Sequence, residues 1–437
     1  MKKIISLMAF CVGCGSIAAQ TPYTLDQLKQ LAVENNYTLR SARNAIKQSK
    51  ETKSEAFTKY FPTVSAVGAG MVANKNLIEM ELNVPEKLAT IIPALSQLPS
   101  SVGMMKDGML GSITAMQPVF MGGLIVNGNK LANLGVEANE IQMEMSEDQV
   151  ELTTEQYYWQ MVSLKEKLLT LGTVHDMLVQ LEKDVAASVR VGAVNRNDLL
   201  QVQLRRGEVE STQLEVENGL ATVGQLLAQH IGKPGETIAV ASSALSVEAL
   251  PQLPVRTDHQ TALAATPEYR LLQKNVESHQ LQRKMKVGQN MPNVVVGATY
   301  STNDLMDSWR SNGMLFATVS VPITSWWGGS HAIKKQTLAL EDAKEQMLDN
   351  GQKLVIRMNN AWAAVETSHK KLQIAHSAIE QAEENLRLNR DYYRVGSTKM
   401  TDLLLAQEQY QQACDRYTDA YATYQTKLLE YRQATGK

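Results

Sequence analysis

Seven residues of one segment return 204 positions later, and this duplication limits the possible folds more than any other feature of the chain. Arg190, Val191, Gly192, Asp198, Leu199, Leu200 and Gln203 recur as Arg394, Val395, Gly396, Asp402, Leu403, Leu404 and Gln407. The same offset carries Gly232-Lys233 onto Gly436-Lys437 and Pro118 onto Pro322. Nearer the start of each half the offset becomes 230, relating Pro62 to Pro292, so the first half carries an insertion around residues 75–108. Matches in one order along both halves mark a tandem repeat, which has to be recognised before any element is assigned. Residues 20–232 and 258–437 form the two copies, joined by an irregular segment at 233–257. Each copy predicts a helix, a hairpin of strands, a very long helix, a reversal and another helix.

The helical stretches carry a heptad. From Leu354 an apolar seam falls at Met358, Val365, Leu372, Ile379, Leu386 and Tyr393, interleaved with Ala361, Ser368, Ala375, Ala382 and Asn389. Large and small residues alternating along one face suit close antiparallel packing. The next helix carries Leu403, Tyr410, Tyr417, Tyr424 and Tyr431 on one row and Ala406, Ala413 and Ala420 on another; Val202, Val209, Val216 and Val223 are the first copy's counterpart of the alanine row. Taken singly, these residues read as packing residues. A strict seven-residue period underwinds the helices into a left-handed supercoil. The pattern predicts helices over 124–190, 197–231, 330–394 and 401–435, with shorter ones near 37–61 and 267–290 stacking end to end on the shorter partners. A helix over 124–190 is roughly 100 Å long at 1.5 Å per residue, and no ordinary globular core demands one.

Between the helices lie four segments of other composition, about 63–73, 109–119, 293–303 and 313–323. In the second pair Val294, Val296, Ala298 and Tyr300 alternate with Thr299, Ser301 and Asn303, while Leu315, Ala317, Val319 and Val321 oppose Thr318 and Ser320. The first pair is rich in Gly, Ala and Met and leaves its register open. About ten residues is the length of a tilted membrane strand. Four strands cannot close a barrel, and an open edge in hydrocarbon costs several kcal/mol per unpaired backbone group. Two copies give eight strands, a barrel filled by its own side chains; three give twelve, which suits a conduit. Phe120, Trp326 and Trp327, placed at the ends of these strands, fit an interfacial aromatic girdle. The competing reading is a soluble β-layer with buried tryptophans.

The N-terminus reads as a secretory signal peptide over residues 1–19: Lys2 and Lys3, an apolar core from Ile4 to Val12, then small residues through Ala18 and Ala19. A lipoprotein signal acylated at Cys14 is the alternative, with Cys11 an unfavourable residue three positions before it. Cleavage leaves Cys414 as the one cysteine, which excludes an intrachain disulfide. Of 43 basic residues Lys2 and Lys3 go with the signal, leaving 41 against 45 acidic, a balance that does not favour nucleic acid. After residue 20 no run of eighteen apolar residues appears, so a membrane location requires strands.

No catalytic constellation is present in the sequence. It has neither G-x-S-x-G nor H-E-x-x-H, and Gly232-Lys233-Pro234 lacks the upstream glycine and the hydroxyl of a phosphate loop. His369 and His376 stand seven apart on one helix, a spacing typical of seam or surface residues, and no metal site or cofactor is expected. The chain does not read as an enzyme.

A leader peptide, two copies of helix, hairpin, long helix and helix, Pro then Gly-Gly after each hairpin, and RVG with DLL at each reversal together resemble the TolC family of outer membrane efflux proteins. The resemblance spans the whole mature chain. It implies a homotrimer in the outer membrane of a Gram-negative bacterium, with a twelve-stranded barrel and a helical barrel in the periplasm. It also implies tip-first docking onto a periplasmic adaptor linked to an inner-membrane pump, in tripartite efflux or type I secretion, with the pump choosing the cargo. Carried over by position, Val191-Gly192 and Val395-Gly396 are the adaptor-docking tips. Asp198 and Asp402 line the constriction as rings of carboxylates; the alternative role for both is an acid in a helix's first turn. Tyr393, Arg190 and Arg394 bond across the tips to hold the closed state. Thr398, where an arginine is often found, and Leu405, in place of a second acid, depart from the family pattern. The rival class is a periplasmic adaptor or structural coiled-coil protein with no pore, but an adaptor shows one helical hairpin inserted in one β-domain, not two whole-length copies.

Overall fold

A computed structural model of the chain describes residues 22–83, 85, 91–92, 101–241, 250–304, 308–323 and 325–437. The leader at 1–19, part of the insertion and part of the 233–257 segment lie outside the described residues. In chain order the elements are α1 (Leu25–Asn35), α2 (Tyr37–Thr58), β1 (Thr63–Val72), β2 (Ile78–Glu81), β3 (Ser101–Met104), β4 (Asp107–Met121), α3 (Leu124–Arg190) and α4 (Arg196–His230). There follow α5 (His259–Leu263), α6 (Pro267–Gly288), β5 (Asn293–Asn303), β6 (Arg310–Ser320), α7 (Ser325–Arg394) and α8 (Met400–Ala434). Contacts divide the chain into two compact units that cut across the duplication. One comprises Met1–Ala42, Met143–Pro267 and Lys353–Lys437; the other comprises Arg43–Gln142 and Glu268–Gln352.

The first unit is helical and built on the heptad rows. Met358, Val365, Leu372 and Leu386 of α7 are buried, as are Leu403, Tyr417, Tyr424 and Tyr431 of α8 and Val202, Val209 and Val223 of α4. The alanine and serine positions between them admit the facing helix: Ala375, Ala406, Ala413 and Ser368 are buried too. The tyrosines also carry hydrogen bonds. Tyr424 Oη donates to the Gln252 carbonyl at 3.2 Å and Tyr158 Oη to the Ala241 carbonyl at 3.0 Å, so the connecting segment is tied to the helices at both ends. That segment is less irregular than its composition suggests. Tyr23 forms a parallel bridge with Val240, and Ile238 and Val240 are buried against α1, α3 and α4.

A helix absent from the sequence reading, α1, precedes α2. The Asn36 backbone is extended and separates the two; its Oδ1 accepts from the Thr38 amide at 2.8 Å and its Nδ2 donates to the His230 carbonyl at 2.8 Å. Thr24 and Gln27 form the capping box that starts α1.

The second unit holds an antiparallel sheet in the order β1-β4-β5-β6, with β4 and β5 joining the two copies. The pairing Val64–Ala115–Ala298–Leu315 and its neighbour Ala66–Ile113–Tyr300–Gly313 settle the first pair's register. Side chains directly opposite share a face. One face therefore carries Val64, Ile113, Val294, Val296, Tyr300, Leu315 and Val319, and the other carries Ser65, Ser112, Thr114, Thr299, Ser301 and Asn312 with Met116, Met314 and Phe316. Thr114 and Thr299 hydroxyls bond across strands at 2.9 Å.

Three expected boundaries move. The last strand runs 310–320 rather than 313–323: Pro322 has no amide for a ladder, and Arg310, Ser311 and Asn312 pair with Asn303, Thr302 and Ser301. β4 extends to Met121 through a bulge between Pro118 and Phe120, the position at which a strand tolerates proline. The last long helix begins at Ser325 rather than 330. Within the insertion, β2 pairs with β3 as a separate two-stranded ribbon.

Candidate functional site

Two places in the chain combine exposed or unsatisfied groups with positions repeated in both copies: the two helix reversals, in the first unit, and the strand ends, in the second. At the reversals the backbone is the same in each copy. Gly192 and Gly396 have φ of +76° and +73°, the left-handed conformation that a side chain disfavours. Gly192 N–H bonds the Val189 carbonyl at 3.0 Å and Ala193 N–H the Ser188 carbonyl at 2.9 Å; Gly396 and Ser397 repeat this onto Tyr393 and Tyr392 at 3.0 and 2.9 Å. These paired bonds close the last turns of α3 and α7. Val191 and Val395, between helix end and glycine, are 80% and 75% exposed, an apolar pair that nothing in the protomer covers among the described residues.

The two acids differ in their surroundings. Asp402 Oδ2 accepts from the Thr398 hydroxyl at 3.0 Å and the Lys399 amide at 3.4 Å, so Asp402 caps its own helix. Asp198 is half-buried, and no side-chain cap bond starts α4. Burial pushes the Tyr393 hydroxyl above its ordinary range, and the Asp198 carboxylate adds to that shift. The structure thus brings Tyr393 and Asp198 together, while neither expected arginine bonds to them. Arg394 pairs with Asp391 at 3.6 Å, Arg190 is exposed, and Tyr393 Oη is buried without a hydrogen-bond partner among the described residues.

Asp198, Tyr393, Arg394, Thr398 and Lys399, but neither Asp402 nor Arg190, border a cavity of about 1210 Å³ between the ends of α3 and α7 and the starts of α4 and α8. Gln201 and Gln407 line it as well; Gln407 is 1% exposed with neither amide atom bonded, and Gln201 Oε1 is also without a partner. Gln407 is one of the seven repeated residues, yet its sequence context carries no functional expectation. Its counterpart Gln203 donates to Glu182 at 2.9 Å, so the repeat marked the position but not its burial.

At the strand ends the aromatic residues are placed differently from expectation. Phe120 lies inside β4 opposite Val294, and Trp326 and Trp327 lie in the first turn of α7. All three are exposed, Trp327 by 79%, which removes the reading of buried tryptophans under a soluble β-layer. Trp326 Nε1 donates to the Asn290 carbonyl at 2.9 Å, fastening the start of α7 to the end of α6. Glycine makes a further junction possible, where Gly122 and Gly288 approach backbone to backbone so that a Cβ on either collides with the other's carbonyl. Among the described residues no group of acidic, histidine or cysteine side chains could hold a metal ion.

Residues 259–437 match the model of the family described as outer membrane efflux protein. That match falls on the second copy of the repeat. No curated protein matches the sequence. A likeness in fold to solved structures extends over both copies. The chain is similar to the outer membrane protein VceC of Vibrio cholerae at 13% identity, covering 94% of this chain and 96% of that one with a TM-score of 0.73. It is similar to the CmeC outer membrane channel of Campylobacter jejuni at 13% identity, over 94% and 85% of the two chains, TM-score 0.76. The open state of the MtrE outer membrane channel of Neisseria gonorrhoeae gives 16% identity, 94% and 88% coverage and a TM-score of 0.73.

Proposed function

We propose that the chain is one protomer of a passive exit duct in the bacterial outer membrane, serving efflux or secretion and docking by its helix reversals onto a periplasmic adaptor joined to an inner-membrane pump. One observation carries this reading. No residue of β1, β4, β5 or β6 is buried, one face of their sheet is apolar, and its outer strands β1 and β6 have no further strand beside them among the described residues. In water such a sheet exposes apolar surface with no compensating burial. In a bilayer lipid covers the apolar face, and the unpaired edges require another strand.

The strands alternate in direction and are even in number, so β6 of one copy can pair antiparallel with β1 of the next. Three copies supply twelve strands, wide enough for a lumen. In that homotrimer Asp198 and Asp402 supply three carboxylates each near the periplasmic mouth, Val191-Gly192 and Val395-Gly396 meet the adaptor, and Phe120, Trp326 and Trp327 sit at the interface. Arg190, Arg394 and Tyr393 then hold the mouth closed through bonds between neighbouring protomers. No step of this function is a chemical reaction.

Single-channel recording in a planar bilayer tests the reading. Purified protein should open in small, cation-selective steps, and Asp402→Ala should give larger or less selective ones. Unchanged selectivity removes Asp402 from the constriction; the absence of any step from folded protein contradicts the duct.

A further inference from the structure

We propose that a cavity beside the strand ends binds the phosphate headgroup of an anionic phospholipid from the periplasmic leaflet, an inference that rests on the sheet's lying in the membrane. The cavity, about 870 Å³, lies within the sheet-bearing unit between α2, α3 and α6. Its apolar floor includes Phe57, Tyr60 and Val126, which are 55%, 39% and 45% exposed. Phe57 stacks edge-on with Tyr60 and with Phe61, at ring-centroid distances of 5.7 and 5.5 Å.

Four lysines surround this floor, and they are not equally occupied. Lys274 pairs with Glu137 at 2.8 Å and Glu277 at 3.3 Å, and Lys53 donates to Asn133 at 2.7 Å. Lys130 and Lys284 also line the cavity, are exposed, and have no ion pair among the described residues. Two unpaired ammonium groups beside exposed aromatic rings match an anion carried on acyl chains: the rings meet the glycerol and chain ends, and the lysines meet the phosphate.

Position along the chain puts these groups at headgroup depth. Lys284 lies one helical turn before the end of α6 and Lys130 less than two turns after the start of α3, so their backbones stand about 6 and 9 Å from the sheet-side ends of their helices. The headgroup zone of a bilayer extends about 5–8 Å beyond the hydrocarbon on each side. Gln117 of β4 donates to the Tyr60 carbonyl at 3.1 Å, which ties the aromatic end of the cavity to the sheet itself.

Native mass spectrometry of the detergent-extracted protein, exchanged into dioleoylphosphatidylglycerol or dioleoylphosphatidylcholine, tests the site. Phosphatidylglycerol should be retained about tenfold more than phosphatidylcholine. The double variant Lys130→Glu with Lys284→Glu should abolish that preference, whereas Lys370→Glu with Lys371→Glu, exposed lysines of the other unit, should keep it. Equal retention of the two lipids, or a preference that survives the Lys130 and Lys284 changes, overturns the site. Displacement by an excess of inorganic phosphate overturns the role of the acyl chains. Bilayer recordings of the same double variant separate the two claims. Normal channel steps from a double variant that has lost the lipid preference support both claims, wild-type protein that gives channel steps but retains the two lipids equally sinks the lipid site alone, and wild-type protein that forms no channel in any lipid sinks the duct and the site with it.

Discussion

At Asp402 the carboxylate accepts from the Lys399 amide and the Thr398 hydroxyl, whereas at the equivalent Asp198 it lies near Tyr393 and makes no cap. The difference predicts unequal local effects. Asp402→Ala should speed amide hydrogen exchange in the first turn of α8 by about fivefold, the equivalent of the ~1 kcal/mol carried by such a cap. Asp198→Ala should leave the first turn of α4 nearly unchanged, and equal acceleration at both sites would show that the two acids do the same work. Both residues were legible in the sequence as repeated first-turn acids, and the two candidate roles could not be separated there. What separates them is the Thr398 hydroxyl on one side, a local contact for which Val194 in the first copy has no equivalent, and Tyr393 on the other, a contact that depends on which helices meet. Gln407 shows the same gap: the repeat singles it out, but only packing leaves its amide buried and unbonded.

Among the elements, the heptad rows were the most legible, because a seven-residue period dictates which side of a long helix faces its neighbours. Burial of the tyrosine row has a consequence for pH. The hydroxyls of Tyr158, Tyr393, Tyr417 and Tyr424 are pushed above their ordinary range, burial being the main cause, and that of Tyr410 is pushed up to about 12. Their neutral forms are favoured in the fold, so the stability they contribute is complete below pH 10, where unfolded tyrosine is also protonated. It is lost as pH rises from 10 through the folded values. Denaturant midpoints should hold level up to about pH 10 and fall beyond it, while phenolate absorbance shows these tyrosines titrating after the exposed ones. A midpoint independent of pH between 10 and 12 would contradict this.

The strand boundaries were less legible because turn chemistry competes with alternation. Val321 and Ile323 continue the apolar rhythm past the last ladder pair, and Arg310, Ser311 and Asn312 look like a loop although they pair. Gly328 and Gly329 look like a break, yet both lie in the first turns of α7. At Gly329 an added Cβ would strike the Asn290 side chain, so the glycine permits a close approach rather than ending a helix. Gly122 and Gly123 both have positive φ, +59° and +77°, but only Gly122 has a backbone neighbour, in Gly288, that cannot move aside as a side chain can. Gly122→Ala should prevent assembly of the folded protein, seen as loss of the oligomer in light scattering of the detergent extract. Gly123→Ala, whose Cβ would meet only the Asn127 side chain at 3.3 Å, should still assemble, with the loss of stability that an alanine at φ +77° brings. Equal behaviour of the two variants would show that the approach of Gly122 to Gly288 imposes no constraint.

On the scale of the whole molecule, the sheet is unfinished. A four-stranded antiparallel layer with two open edges and no buried residue has no stable existence in water or lipid by itself, and the protomer contains no helix long and apolar enough to cross a membrane among the described residues. That much could be argued from strand count and composition; the register that sets Val64, Ile113, Tyr300 and Leu315 of the four strands on one face could not, because the Gly- and Ala-rich β1 alternates too weakly to announce it. The mass of the particle extracted from outer membranes, measured by light scattering with the detergent contribution subtracted, tests the closure most directly. Three protomers per particle, obtained only with detergent, is the predicted result. A monomer that stays in solution without detergent would contradict it.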